Sequence, residues 1–106
     1  MYVKVYQYSV QAEQIEQCLE LVSESDLLYK QFVNYTMLIR RSREQPTKLT
    51  EVHLYKSEEE YVEAMGKMKD DVQIQALFEQ FLRTLSPENP EIKEETYTNG
   101  SSFLIE

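Results

Sequence analysis

The segment Leu49 to Met68, LTEVHLYKSEEEYVEAMGKM, does most to limit what this chain can fold into. A strand-like run, Leu49 to Lys56, meets a helix start with no residues to spare. Ser57 is a good N-cap, and Glu60 stands three residues on, as a capping box requires. Tyr61, Ala64, Met65 and Met68 then repeat with the i, i+3, i+4, i+7 spacing of one apolar helical stripe. The end of a strand, with His53 and Tyr55 on one face, is therefore fixed against the start of a helix.

The rest of the chain alternates in the same way. Met1 to Tyr8 places Met1, Val3, Val5 and Gln7 on one side and Tyr2, Lys4, Tyr6 and Tyr8 on the other, a first strand rich in strand formers. Ile15, Cys18, Leu19 and Val22 form the buried stripe of a first helix over Ala12 to Ser23. Ser23 to Gln31 reads as a short helical turn or as an apolar loop. Phe32 to Arg41 alternates as a second strand, with Asn34 and Tyr35 on opposite faces. A polar turn, Ser42 to Thr47, joins it to a third strand, Lys48 to Lys56, so the pair reads as a hairpin.

Glu58 to Leu85 is a long helical region with two stripes. Gly66 and the cap residues Asp70 and Asp71 lie within it, so it reads as two helices or one broken helix. Ser86, Pro87 and Pro90 end it. Glu91 to Thr98 supplies a fourth strand, and Phe103 to Ile105 form a short apolar tail.

The order β-α-β-β-α-β is that of an α+β, ferredoxin-like domain: one antiparallel sheet with helices on one face. The chain has 106 residues, one domain's worth. Strands one and two carry large apolar groups on both faces, whereas helices cover only one. Burying one such side chain is worth ~1.5–3 kcal/mol, so a two-fold homodimer, sheet against sheet, is the expected remedy. A tail over residues 99–106 could reach the partner. A monomer with exposed tyrosines is the alternative.

Composition excludes several classes. The net charge is −8, which argues against a nucleic-acid surface. The one cysteine, Cys18, forms no intramolecular disulfide and no thiolate metal cluster. No signal peptide and no stretch of roughly 18 apolar residues is seen, so a cytoplasmic protein away from membranes is expected. No nucleophile triad, Gly-rich phosphate loop or His/carboxylate metal spacing occurs.

In the order of its elements, its two-faced strand MYVKVYQYSV and its junction EVHLYKSEEEYVEAM, the chain resembles the dimeric α/β-barrel superfamily. Within it, the resemblance is to the antibiotic-biosynthesis-monooxygenase-like domains. Tyr55, Lys56, Ser57, Glu58 and Tyr61 follow that family's aromatic-then-acidic-helix outline. The resemblance covers roughly Met1 to Thr98. It implies two ferredoxin-like subunits closing a barrel, each with a pocket between sheet and helices. It also implies one of several activities: cofactor-free oxygenation of aromatic polyketides, haem degradation or small-metabolite chemistry. Fold alone does not choose among them.

The candidate working groups are His53, Tyr55 and Gln7, with Val5, Asn34, Met65 and Met68 as pocket residues. His53, the sole histidine, is a natural general base near neutral pH. The plainer reading, and the favoured one, is a partly buried structural histidine bonded across the sheet. Tyr55 stands where the haem-degrading branch has Trp, and Gln7 where that branch has Asn; a packing aromatic and a strand-end polar residue are the plain alternatives. Met65 and Met68 suit a helix core or an adaptable pocket wall. Glu58 to Leu85 holds no histidine, so the family's axial haem ligand is missing. The expectation is a cofactor-independent, monooxygenase-like homodimer that binds an apolar or aromatic metabolite. A non-catalytic ligand-binding or stress-associated dimer, and a haem protein with atypical ligands, are the other readings. Regulatory amino-acid-binding modules share the element order but place a Gly-containing turn after strand one, and Ser9 to Glu13 has none.

Overall fold

A computed structural model describes residues 1–98. Four strands form one antiparallel sheet: β1 (Tyr2–Ser9), β2 (Tyr35–Arg41), β3 (Lys48–Tyr55) and β4 (Lys93–Tyr97), in the order β2-β3-β1-β4. Between them run α1 (Ile15–Tyr29), α2 (Glu58–Met68) and α3 (Val72–Leu82). This is the ferredoxin-like arrangement. Among the described residues, no helix is long and apolar enough to cross a membrane. The expected tail contact lies outside the described residues.

The junction after β3 forms as its sequence dictates. The Ser57 hydroxyl accepts from the Glu60 N–H at 3.2 Å, and Glu58, Glu59 and Glu60 fill the first turn of α2, where the helix dipole favours carboxylates. The long helical region breaks after Met68. The Asp71 carboxylate accepts from the Ile74 N–H at 2.9 Å and caps α3. Two helices, rather than one bent one, are the outcome.

Three elements differ from expectation in their bounds. A 3-10 turn, Ala12–Gln14, precedes α1, which runs on past Ser23 to Tyr29. Strand β2 starts at Tyr35 rather than Phe32, because the N–H groups of Phe32 and Val33 bond back to the Tyr29 carbonyl and close the helix end. β4 is likewise shorter than expected.

The registers assign the two faces of the sheet. β1 pairs with β3 as Tyr2 with Tyr55, Lys4 with His53, Tyr6 with Glu51 and Tyr8 with Leu49. β2 pairs with β3 as Tyr35 with Tyr55 and Met37 with His53. Directly opposed residues share a face, so this set lies under the helices. Val3, Val5, Gln7, Leu38, Val52 and Leu54 lie on the other face, which no helix covers. Leu38 there is 40% exposed and Tyr97 49%.

The apolar core is split in two. Tyr8, Val10, Ile15, Cys18, Val22, Leu49 and Leu85 form one cluster. Tyr2, Val33, Tyr35, Tyr55, Ala64 and Met68 form the other. The space between them is where the candidate site lies.

Candidate functional site

A cavity of about 640 Å³ opens between the sheet and the three helices. Residues of both core clusters line it, Tyr8 and Val22 from one and Tyr35, Tyr55 and Met68 from the other. Its floor is built by the pleat of β3. Glu51, His53 and Tyr55 stand two residues apart, so all three face the helices. Tyr6 and Tyr8 from β1 and Tyr35 and Met37 from β2 flank them, and α1 adds Asp26 and Tyr29. Met65, Met68, Ile74, Phe78 and Phe81 close the helical side.

A continuous hydrogen-bond chain crosses the floor. His53 Nε2 lies 2.8 Å from Glu51 Oε1, and His53 Nδ1 lies 3.3 Å from the Tyr55 hydroxyl. The Tyr8 hydroxyl donates to the other oxygen of Glu51. A carboxylate only accepts, so His53 Nε2 carries the proton in that bond. In the neutral ring Nδ1 is then the acceptor, and the Tyr55 hydroxyl donates to it. Beside this chain, the Tyr35 hydroxyl donates to Asp26 at 2.6 Å and ties β2 to α1.

The floor is also a box of rings. The centroids of Tyr6, Tyr35, Tyr55 and Tyr29 lie 5.0, 5.6, 6.3 and 6.5 Å from that of His53. Tyr35 and Tyr55 stack at 5.3 Å. Burial holds the phenols of Tyr6, Tyr8, Tyr35 and Tyr55 well above the ordinary tyrosine range. The carboxylate of Glu51 adds to this at Tyr8, and that of Asp26 at Tyr35. Around neutral pH these rings are therefore neutral hydrogen-bond donors, not phenolates.

Of the residues singled out from the sequence, His53, Tyr55, Met65 and Met68 line this cavity, and Gln7, Val5 and Asn34 do not. Gln7 and Val5 occupy odd positions of β1 and point to the uncovered face. There the Gln7 amide donates to the Thr50 hydroxyl at 3.2 Å and borders a small polar cleft with Lys48 and Lys93. Asn34 precedes β2 and is exposed; its neighbour Tyr35 is the residue that enters the cavity. The sequence alone does not single out Glu51, Tyr6, Tyr8, Tyr29 or Asp26. For Glu51 a signal exists, since it shares strand parity with His53 and Tyr55.

No protein-family profile matches the sequence. No curated relative matches it either. Solved structures do. SnoaB, a cofactor-independent oxygenase from Streptomyces nogalater crystallised as a point mutant, superposes with a TM-score of 0.72 at 9% identity, covering 95% of this chain and 94% of that one. A candidate antibiotic biosynthesis monooxygenase from Deinococcus radiodurans gives 0.75 at 14%, covering 100% and 99%. An uncharacterized NIPSNAP domain protein from Burkholderia xenovorans gives 0.74 at 14%, covering all of both chains. The chain shares the fold of these proteins. At these identities the likeness is one of fold, and the chemistry has to be argued from the residues.

Haem, the alternative cofactor suggested by the resemblance, does not suit the residues of this site. The chain has one histidine, and it stands on β3 rather than on α2 or α3. Both of its ring nitrogens are already engaged, by Glu51 and by Tyr55. Ligating iron would break one of these bonds and leave a buried partner unsatisfied. Among the described residues, no group of three or more His, Cys, Asp or Glu side chains is placed to hold a metal ion.

Proposed function

We propose that this protein is a cofactor-independent, monooxygenase-like enzyme that binds an apolar or aromatic metabolite in the cavity between sheet and helices. One observation carries the reading: His53 is held between Glu51 and Tyr55 at the floor of an aromatic-lined cavity. A volume of about 640 Å³ suits a ligand of several fused rings.

In this account His53 is the general base. It takes a proton from an activated CH₂ of an anthrone-type substrate, directly or through the Tyr55 hydroxyl. In the relay, Tyr55 accepts the substrate proton and passes its own to Nδ1. Glu51 stabilises the imidazolium that results. Such a positioned base is worth about 10²–10⁴ in rate. The substrate carbanion gives its electrons to dioxygen, and the peroxide formed takes a proton from His53. Loss of water leaves a carbonyl, so that CH₂ and O₂ become C=O and H₂O. The likeness to SnoaB, a cofactor-independent oxygenase, supports this class of chemistry by fold only.

The working unit in this reading is a homodimer joined through the uncovered sheet face. Val3, Val5, Leu38, Val52 and Leu54 supply a contiguous apolar surface there, which a second copy would bury. The test is direct. An anthrone added to the purified protein in aerated buffer should give quinone with one O₂ consumed per product; no turnover over the uncatalysed rate would overturn the enzymatic reading.

A ligand-binding protein without chemistry is the second reading. It is favoured by the closure of the His53 bonds within the protein itself. Saturable binding of aromatic probes without O₂ uptake would decide for it.

A further inference from the structure

We infer that the cavity selects its ligands by charge, and that its preferred ligand carries a protonated amine beside an aromatic body. The inference rests on the reading that the cavity is the ligand site, and it adds the chemical class of the ligand.

Among the described residues, the wall holds three carboxylates, on Asp26, Glu51 and Glu94. Two are already compensated. Asp26 pairs with Lys30 at 2.8 Å, and Glu94 pairs with Lys4. Glu51 is different. Its side chain is 13% exposed, and its partners among the described residues are the Tyr8 hydroxyl and the His53 ring. Neither is a permanent cation. Residues 99–106 contain no Lys or Arg that could supply one. A carboxylate taken out of water calls for a positive partner. The cavity that Glu51 lines is where such a partner would stand.

The rest of the wall favours the same sign. Tyr6, Tyr29, Tyr35 and Tyr55 surround the floor with neutral rings, whose faces attract organic cations. Lys69 is the one Lys or Arg in the lining, and it is exposed. The net charge of −8 extends the field outward and draws cations towards the opening. An anionic ligand would meet Glu51 at the floor with no cation to hold it there.

Calorimetric titration of the full chain at neutral pH tests this with three probes sharing one phenol ring: tyramine, para-ethylphenol and para-hydroxyphenylacetate. Tyramine should bind about tenfold tighter than para-ethylphenol, or better, and para-hydroxyphenylacetate weakest. In Glu51→Gln the ratio of tyramine affinity to para-ethylphenol affinity should fall to about one, whatever the change in either alone. Equal affinities, or tightest binding of the acid, would overturn the charge preference and leave the cavity assignment standing. If none of the three binds, the cavity assignment falls and the inference with it. Persistence of the tyramine advantage in Glu51→Gln would overturn the role given to Glu51. The wild-type ranking decides the preference by itself, even if the variant fails to fold.

Discussion

His53 Nε2 stands 2.8 Å from the carboxylate of Glu51, two residues earlier on the same strand. The pleat alone brings them together, because residues i and i+2 share a face. Glu51 fixes the ring tautomer and supplies the charge that an imidazolium would need. Glu51→Gln keeps a hydrogen-bonding group there and loses that charge. A charge-assisted bond is worth about 1.5–3 kcal/mol, which corresponds to roughly 10–100-fold in rate. For a neutral anthrone-type substrate we expect kcat to fall by that factor with little change in KM. Steady-state kinetics on the variant checks it, and an unaltered kcat would remove Glu51 from the mechanism.

The split core has a signature at high pH. Burial, first of all, pushes the phenols of Tyr6, Tyr8, Tyr35 and Tyr55 above their ordinary 10.0. The folded state therefore holds these protons more tightly than the unfolded chain does. The stability this gives is complete below the ordinary phenol value and declines as pH rises beyond it, towards the folded values. Denaturant midpoints measured against pH should be flat approaching that point and fall steeply above it. A midpoint that stays level well into the alkaline range would contradict the buried placement of these rings.

Gly66 lies inside α2, at an exposed position where an added Cβ meets nothing within 4 Å. Its backbone has no positive φ that would demand glycine. Gly66→Ala should therefore stabilise the fold by about 0.5–1 kcal/mol, through helix propensity and the unfolded chain's lost freedom. Thermal unfolding should show a rise of a few degrees. A lower melting temperature would show that the helix needs the glycine.

The uncovered sheet face makes the dimer testable. Leu38→Lys sets a charge within its apolar patch while leaving the cavity untouched. In sedimentation, wild type at micromolar concentration should run as a dimer and Leu38→Lys as a monomer. A wild-type protein that runs only as a monomer would contradict the proposed assembly.

Much of the fold is legible in the sequence, because local chemistry and global packing agree at its key points. Ser57 caps α2, Asp71 caps α3, and the parity of β1 and β3 pairs the strands. The site is harder to read. The stripe of α1 runs from Ile15 through Cys18 and Val22 to Ser25, Asp26 and Tyr29. Its last turns face a cavity instead of a core, so they carry polar groups and conceal the helix. Glu51 looks like a solvated charge for the same reason. Gln7 and Val5 read as pocket residues because both faces of β1 are partly apolar, and alternation alone does not say which face the helices cover.

The most direct test of the account is oxygen uptake with an anthrone-type substrate, wild type against His53→Gln, both shown to be folded by circular dichroism. The account predicts steady O₂ consumption by wild type and a rate lower by about 10²–10⁴ in the variant. Equal rates would contradict His53 as the base on which the proposed chemistry depends.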